Sequence, residues 1–271
     1  MPNPDRFPDA SRLTSSFTDF LRTERPDLMP QPATGTFAHT EATTILALRY
    51  ADGVLMAGDR RATAGMMIAQ RNIEKVFPTD SHSAMAISGV PGPAIEMVKL
   101  FATELEYYEK VEGETLSLAG KANHLSRLVR GNLPAAMQGL IVVPLFAGYD
   151  ARRGEGRIYS YDVTGGSYKE TDYYATGSGG PHAKNTLKKL YTRGDEIDQA
   201  AALRLAVEAL ADAAEEDAAT AGPDPVHGIY PTVFLITADG VNEAPEAEVE
   251  GVSRALLEER ASRAQQSQEP A

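Results

Sequence analysis

The stretch "TTILALRYADGVLMAGDRR", residues 43 to 61, decides the fold because it predicts two strands joined by a tight turn. Aliphatic residues fill both halves, and the pair Asp52-Gly53 separates them. An Asp-Gly pair is a strong hairpin signal, since glycine tolerates a positive φ. The first convincing strand therefore begins at the Thr43-Thr44 pair, well inside the chain.

The segment before this strand, residues 1–42, has the character of a leader and not of a domain. It holds six of the 17 prolines and a single short amphipathic stretch, "SSFTDFLRT", at 15–23. Its scant apolar content predicts a mostly flexible segment. We expect Phe17, Phe20 and Leu21 to be its docking points on the rest of the protein.

The remainder of the chain predicts alternating groups of strands and helices. A strand at 83–90 ends at Pro91-Gly92-Pro93, and amphipathic helices follow at 95–105 and 118–129. A meander of strands with glycine turns is predicted over 140–150, 156–166 and 168–180, followed by helices at 181–191 and 198–217, a buried strand at 229–241 and a helix at 247–260. This order suggests two sheets between helix layers in one domain, with a tail after residue 260 that lacks fixed structure.

Composition excludes several classes of function. The formal charge of −12 over 271 residues argues against nucleic-acid binding, because phosphate neutralisation needs a basic face. The chain has no cysteine, which excludes disulfides, thiolate metal sites and cysteine nucleophiles, and its five scattered histidines show no metal-ligand spacing. We expect no metal and no cofactor. The longest apolar run, Leu140 to Ala147, is too short to cross a bilayer, and no secretory signal is present, so a cytoplasmic protein is predicted.

The leader suggests how Thr43 could become reactive. If the chain were cut between Ala42 and Thr43, the threonine hydroxyl would lie beside its own free amine. An α-amino group has a pKa of about 7.7 to 8.0, so it can accept the hydroxyl proton near neutral pH. One residue would then supply both the nucleophile and the base.

Three residues downstream fit this chemistry. A lysine at 75 would favour the alkoxide, Asp59 would hold and compensate that lysine, and the N–H of Gly89 could face a developing oxyanion. Each of the three also fits ordinary structure, as a turn aspartate, a lone lysine and a strand-end glycine.

The combined pattern is more specific. The opening stretch together with "IEKVF" (73–77), "AISG" (86–89), "GSGG" (177–180) and "EEDAATAGPD" (215–224) resembles the 20S proteasome β subunit family of the bacterial, actinobacterial type, from Thr43 to about residue 260. The resemblance implies that Thr43 is the nucleophile, that Asp59 and Lys75 are its charged partners and that Gly89 is the oxyanion donor. It also implies that Ser178, Asp217 and Thr220 orient the amine and a water, and that Arg61 is a structural arginine.

The same resemblance implies a fold and an assembly. The fold would be an α+β, four-layer αββα sandwich of the N-terminal nucleophile hydrolase class over 43–260, preceded by a propeptide, 1–42, that is removed by autolysis. Two stacked heptameric β rings would lie between rings of α subunits, with an ATP-dependent unfoldase delivering protein substrates, some of them carrying a small protein tag. An apolar specificity pocket, suited to cleavage after hydrophobic residues, would be lined by Ala62, Thr63, Ile73, Ile87 and Pro91, although the two isoleucines also fit ordinary strand core.

Two departures and two alternatives accompany this resemblance. The chain has Ala42 where the family usually has glycine before the cleaved bond, and Thr220 where many relatives have serine. Thr44 is a rival nucleophile only if the cut moves by one residue, and strand alternation would then point its side chain away from Lys75. A noncatalytic ring protein of the same fold should lack the Thr-Asp-Lys set, and a simpler peptidase built from one subunit type has almost no leader.

Overall fold

A computed structural model describes residues 43–65 and 67–266 of the chain. The predicted leader, 1–42, lies outside the described residues, and so do its expected docking points Phe17, Phe20 and Leu21 and the cleavage-site residue Ala42.

The described chain contains both strands and helices. The strands are β1 (Thr44–Tyr50), β2 (Gly53–Gly58), β3 (Ala62–Ala64), β4 (Met67–Gln70), β5 (Val76–Asp80), β6 (Ser83–Gly89), β7 (Val142–Asp150), β8 (Glu155–Tyr161), β9 (Ser167–Glu170), β10 (Tyr173–Gly177), β11 (Thr232–Thr237) and β12 (Gly240–Glu243). The helices are α1 (Pro91–Glu112), α2 (Leu118–Gly131), α3 (Leu133–Ala136), α4 (Gly180–Leu190), α5 (Gln199–Glu216) and α6 (Glu246–Gln266), with a 3-10 turn at Gly194–Glu196.

The strands form two five-stranded antiparallel sheets. The first has the order β10-β1-β2-β11-β12, and the second has the order β5-β6-β7-β8-β9. Strands β3 and β4 pair only with each other. In the first sheet, β1 lies between β10 and β2, so Thr44 faces Gly177 on one side and Ile45 faces Gly58 on the other.

Three apolar clusters show how the layers pack. Side chains of both sheets, among them Ile45, Met56 and Leu145, form a fully buried cluster between the sheets. The opposite face of the first sheet packs on α4, α5 and α6, and the opposite face of the second sheet packs on α1 and α2. The protein is therefore of mixed α and β structure, and helices cover the outer face of each sheet. This layering is compatible with the predicted αββα sandwich.

The hairpin that opens the domain is confirmed, but the expected reason for its glycine is wrong. Ala51 and Asp52 form the turn, and Gly53 is already the first residue of β2, without a positive φ. A Cβ at Gly53 would lie 2.1 Å from the carbonyl oxygen of Ile236 on β11. The glycine is therefore required by close approach of the neighbouring strand.

The predicted helices at 95–105 and 118–129 are confirmed, and the first of them is longer than expected. Pro91-Gly92-Pro93 ends the preceding strand, as predicted, but it also forms the first turn of α1. Proline is well accommodated there, because the first backbone N–H groups of a helix have no intrahelical acceptor. The three later helices are also present: α4, α5 and α6 correspond to the predictions at 181–191, 198–217 and 247–260. Helix α6 continues through Gln266, past the tail boundary predicted at 260.

The meander predicted over 140–180 is only partly confirmed. The segment 168–180 contains two strands, and they belong to different sheets: β9 is an edge strand of the second sheet, whereas β10 is an edge strand of the first. This crossing places the turn after β10 beside the start of β1. Strands β3, β4 and β5 were not predicted, because they are short and β4 is fully exposed, so no apolar alternation marks it.

Within the described residues, no helix has both the length and the apolar character required to cross a membrane.

Candidate active site

Thr43 lies immediately before β1 and is 5% exposed. Its backbone nitrogen donates to Ser178 Oγ across 3.4 Å. Ser178 follows β10, which pairs with β1 in a register that sets Thr44 opposite Gly177. A Cβ at Gly177, whose φ is +96°, would lie 1.8 Å from the carbonyl oxygen of Thr43. Only glycine at 177 therefore permits this approach of the two chain segments.

An ion pair lies next to this threonine. Lys75 Nζ is 2.6 Å from Asp59 Oδ1, and the two residues are 3% and 1% exposed. Lys75 directly precedes β5 in the second sheet, and Asp59 directly follows β2 in the first. The pair therefore joins the two sheets at the level of Thr43.

Four donors surround the Asp59 carboxylate. Its Oδ1 accepts from Lys75 and from the backbone N–H of Thr44 at 2.8 Å, and its Oδ2 accepts from the N–H groups of Arg61 at 2.9 Å and Ala221 at 3.0 Å. A buried carboxylate is stable only when its oxygens are satisfied in this way. Asp59 thus fixes the lysine and, through the N–H of Thr44, the backbone next to Thr43.

Burial is the main influence on the pKa of Lys75. Desolvation lowers the pKa of Lys75 below the usual lysine value, and it outweighs the opposing effect of the Asp59 charge and hydrogen bond. A buried lysine with a lowered pKa can exchange protons with a neighbouring hydroxyl far more readily than an exposed one.

Ser178, Asp217 and Thr220 form a hydrogen-bonded group. Asp217 Oδ2 accepts from Ser178 Oγ and from Thr220 Oγ1, each at 2.6 Å. Burial acts to raise the pKa of Asp217, but these hydroxyl hydrogen bonds and the N–H of Ala219 outweigh it, so the pKa lies below the ordinary aspartate value. Asp217 therefore provides a stable anion one hydroxyl away from the nitrogen of Thr43.

The Thr220 hydroxyl makes a further contact that the sequence did not predict. Thr220 Oγ1 lies 2.6 Å from Thr44 Oγ1, and the N–H of Gly179 donates to the same Thr44 oxygen at 3.1 Å. The feature of the sequence that could have indicated this contact is the glycine at 179 in the Gly-Ser-Gly turn. Glycine is needed there because a Cβ at Gly179 would lie 2.4 Å from Thr44 Oγ1. As strand alternation predicts, the side chain of Thr44 does not bond to the lysine pair but to Thr220 and Gly179.

Arg61 connects the group around Asp59 to the group around Asp217. Its Nη1 donates to the carbonyl oxygens of Ala218 at 3.0 Å and Thr220 at 3.1 Å, while its backbone N–H binds Asp59. This position agrees with the structural role that the resemblance implied for Arg61.

Gly89 lies at the end of β6 with a φ of +107°. A Cβ there would lie 2.2 Å from the carbonyl oxygen of Ile141, so close packing alone requires glycine at this position. The geometry provides a structural reason for Gly89, and its role as an oxyanion donor stays a prediction.

The five residues predicted to line a specificity pocket differ in burial. Ala62 and Ile87 are buried, Thr63 and Ile73 are half-buried, and Pro91 is exposed at the start of α1. Ile87 belongs to the apolar cluster between the second sheet and α1 and α2, which agrees with the alternative that it is strand core. The hydroxyl oxygen of Thr63 is buried and has no hydrogen-bond partner among the described residues. Their joint role as a pocket stays a prediction.

Among residues 43–65 and 67–266, no group of three or more histidine, aspartate or glutamate side chains is arranged to hold a metal ion.

Comparison with known proteins shows the family of the chain. The family model described as "Proteasome subunit" matches residues 39–226. The chain is 51% identical over 252 residues to "Proteasome subunit beta" of Streptomyces griseus, covering 91% of this chain and 89% of the relative. It is also 51% identical over 253 residues to "Proteasome subunit beta" of Stackebrandtia nassauensis, covering 90% of each. The chain therefore belongs to the proteasome subunit family.

Proposed function

We propose that this chain is the catalytic β subunit of a bacterial proteasome core particle, a threonine endopeptidase of the N-terminal nucleophile hydrolase class. The observation that carries the proposal is the placement of Thr43. Its nitrogen contacts Ser178 Oγ at 3.4 Å, and the next backbone N–H binds the same Asp59 oxygen that holds the buried Lys75. Nucleophile, base and charged partners are then supplied within one compact group.

Activation is proposed to be autocatalytic. The hydroxyl of Thr43 attacks the carbonyl carbon of Ala42, and the peptide nitrogen leaves as the amine of Thr43, which produces an ester between the leader and the hydroxyl. Water then hydrolyses this ester, the leader departs with a new carboxylate, and the hydroxyl is regenerated. Both steps need proton transfer near the threonine oxygen, which Lys75, with its lowered pKa, is suited to support.

Peptide hydrolysis would repeat the same chemistry on substrate. The free α-amine of Thr43 takes the hydroxyl proton while the oxygen attacks the scissile carbonyl, and the N–H of Gly89 stabilises the oxyanion. The amine then gives its proton to the departing nitrogen, leaving an acyl ester on Thr43. Water hydrolyses the ester and releases the second product.

Ser178, Asp217 and Thr220 are proposed to orient the amine and the water. Ser178 Oγ donates its hydrogen bond to Asp217, so its lone pairs are available to accept from the Thr43 nitrogen. That hydrogen bond turns the amine lone pair toward the threonine hydroxyl. The negative charge of Asp217 stabilises the amine when it becomes protonated.

Substrate preference is proposed from the pocket residues Ala62, Thr63, Ile73, Ile87 and Pro91. They present no charged group, so cleavage after hydrophobic residues is expected, with the modest selectivity that apolar contacts provide.

The named relatives also suggest the assembly. We propose a cytoplasmic particle with two stacked heptameric β rings between α rings, in which the threonines face a closed chamber. An ATP-dependent unfoldase would act through the α rings on unfolded or tagged proteins.

The test is an intact-mass measurement of the chain after coexpression and assembly with its α partner, combined with a peptidase assay. We expect a mass that corresponds to Thr43–Ala271 and hydrolysis that is lost on chemical blocking of the α-amine. In Thr43→Ala, the particle should assemble, keep its leader and lack activity. A full-length chain with peptidase activity would contradict the proposed base.

A further inference from the structure

The hydroxyl of Thr44 is fully buried beside the proposed site. Its Oγ1 lies 2.6 Å from Thr220 Oγ1 and accepts from the N–H of Gly179 at 3.1 Å. A buried hydroxyl with two short contacts holds its partners in fixed positions, because losing either contact leaves a polar group unsatisfied.

The direction of these hydrogen bonds follows from counting protons. A threonine or serine hydroxyl has one proton to donate. Thr220 donates its proton to Asp217 Oδ2 at 2.6 Å, so in the short contact between the two threonines Thr44 must be the donor. Ser178 Oγ also donates to Asp217 Oδ2, at an oxygen–oxygen distance of 2.6 Å, because its alternative acceptor, the carbonyl oxygen of Thr43, is 3.4 Å away.

Two consecutive residues at the start of β1, one immediately before the strand and one at its first position, thus bind two consecutive residues of the turn after β10. Thr43 contacts Ser178, and Thr44 contacts Gly179. A Cβ at Gly179 would lie 2.4 Å from Thr44 Oγ1 and 2.6 Å from Thr220 Oγ1, so the turn is packed directly on both hydroxyls. The position of Ser178 relative to the Thr43 nitrogen is consequently coupled to Thr44.

We propose that Thr44 is a positioning residue: its hydroxyl holds Gly179 and directs the Thr220 proton to Asp217, which together align Ser178 with the nitrogen of Thr43. This inference rests on the proposed threonine peptidase. It gives Thr44 a role without contact to substrate, and it makes Thr44 a part of the site although its oxygen does not attack.

Several charged groups face Asp217 and can affect the dependence of kcat on pH. Lys75 and Arg61 lie on the side of the buried ion pair, and His182 acts on Asp217 from α4. Because histidine titrates close to neutral pH, the pH profile is measured both in the natural background and with His182→Gln.

The test compares Thr44→Val, which removes the hydroxyl at similar volume, with Thr44→Ser, which keeps it. Thr79→Val is the matched control, since Thr79 is a buried threonine of β5 whose hydroxyl, within the described residues, bonds to Ser83 of β6. All variants are measured as assembled particles for leader removal, kcat, KM and the dependence of kcat on pH.

We expect kcat of Thr44→Val to fall by roughly tenfold to a hundredfold with little change in KM, because catalytic groups are misaligned while substrate contacts remain. Thr44→Ser should restore most of the rate. Loss of the Thr44 hydrogen-bond donor weakens the hydrogen bond from Thr220 to Asp217 and leaves more negative charge on Asp217 facing the Thr43 amine. The pKa of that amine should rise, so the acid limb of the profile should move to higher pH, also in the His182→Gln background.

A Thr44→Val particle that matches Thr79→Val in kcat and pH profile would overturn the inference. If Thr44→Val does not assemble, Thr220→Val is measured instead, because it removes the hydrogen bond from Thr220 to Asp217. An unshifted acid limb of the pH profile in Thr220→Val would equally overturn the inference. Failure of the proposed function is separate: it would show in the unmutated particle as a missing Thr43 N-terminus, or in Thr43→Ala as retained hydrolysis.

Discussion

Two buried lysines, Lys75 and Lys121, show how surroundings decide the role of a residue. Lys75 Nζ lies 2.6 Å from Asp59, which is buried, and Lys121 Nζ lies 2.5 Å from Asp80, whose side chain is 12% exposed, so each lysine has a carboxylate partner. Asp59 is also bound by the backbone next to Thr43, whereas Asp80 accepts from His82 and Ser83 in a turn of the second sheet. Only the first pair can take part in chemistry at Thr43.

Lys75→Met should abolish both leader removal and peptide hydrolysis, because both need the same activated hydroxyl. Lys121→Met is the control: it should retain kcat. Removing either lysine leaves a fully or largely buried carboxylate uncompensated, so each variant should lose about 3–5 kcal/mol of unfolding free energy. The measurements are intact mass, peptidase rate and urea denaturation. Normal leader removal in Lys75→Met would show that this lysine is only structural.

Asp217 should contribute a pH-dependent part of the stability. Its pKa is lower in the folded chain than the ordinary value of 3.8, so the folded state binds the proton less readily than the unfolded state. The contribution is therefore fully present above about pH 4 and is lost as the pH falls through the folded pKa. Asp217→Asn should be less stable than the natural chain at pH 7. The difference in unfolding free energy should shrink as the pH falls below the ordinary aspartate pKa of 3.8. Urea midpoints measured across this range check it, and a difference that does not depend on pH would contradict it.

The elements bring the site together through an edge strand. Strand β10 pairs with β1 although the strand before it belongs to the other sheet, and the turn that follows β10 carries Ser178 to Thr43. Gly177 allows this turn, since its φ is +96° and any Cβ would overlap the Thr43 carbonyl. The geometry of the site therefore depends on one backbone contact between neighbouring strands.

Gly177→Ala should separate β10 from β1 and reduce peptide hydrolysis by at least about a hundredfold, because a displacement of about 1 Å has an effect of that size. Gly251→Ala is the matched control. Gly251 lies within α6 with open space around its Cβ position, so alanine there should leave activity intact and stabilise the helix by about 1 kcal/mol. Thermal denaturation and peptidase assays of the two variants decide the matter. Full activity in Gly177→Ala would mean that the contact is not needed.

At the scale of the whole molecule, the apolar cluster between the sheets keeps Asp59 and Lys75, which adjoin strands of different sheets, next to each other. Asp59 directly follows a strand of the first sheet and Lys75 directly precedes a strand of the second, and fully buried side chains such as Leu145 fill the space between these sheets. Apolar burial at this position therefore supports the ion pair as well as the fold.

Leu145→Ala should reduce the unfolding free energy by about 2–5 kcal/mol, because it opens a cavity that the packed sheets cannot fill. Leu100→Ala, on the outer surface of α1 where the side chain is 46% exposed, should change it by less than about 0.5 kcal/mol. Urea denaturation of the full chain gives both values. Equal effects at the two positions would contradict the view that the space between the sheets is the core.

Local sequence determined the elements whose signals are local. The hairpin of β1 and β2, the amphipathic helices α1 and α2, and the helices α4 and α5 follow from apolar spacing and turn residues, which are properties of a few neighbouring residues. The start of the first strand at the Thr-Thr pair led to Thr43, and the chemistry of a freed N-terminal threonine led to Asp59 and Lys75, whereas Ser178, Asp217 and Thr220 were implied by the resemblance to the proteasome β subunit family. Only the tertiary structure decided that β9 and β10 belong to different sheets and that Gly53 and Gly177 are required by neighbouring chains. It alone placed the Thr44 hydroxyl on Thr220 and Gly179. These features depend on contacts between residues far apart in sequence, and the spacing of residues along the chain carries no information about such contacts.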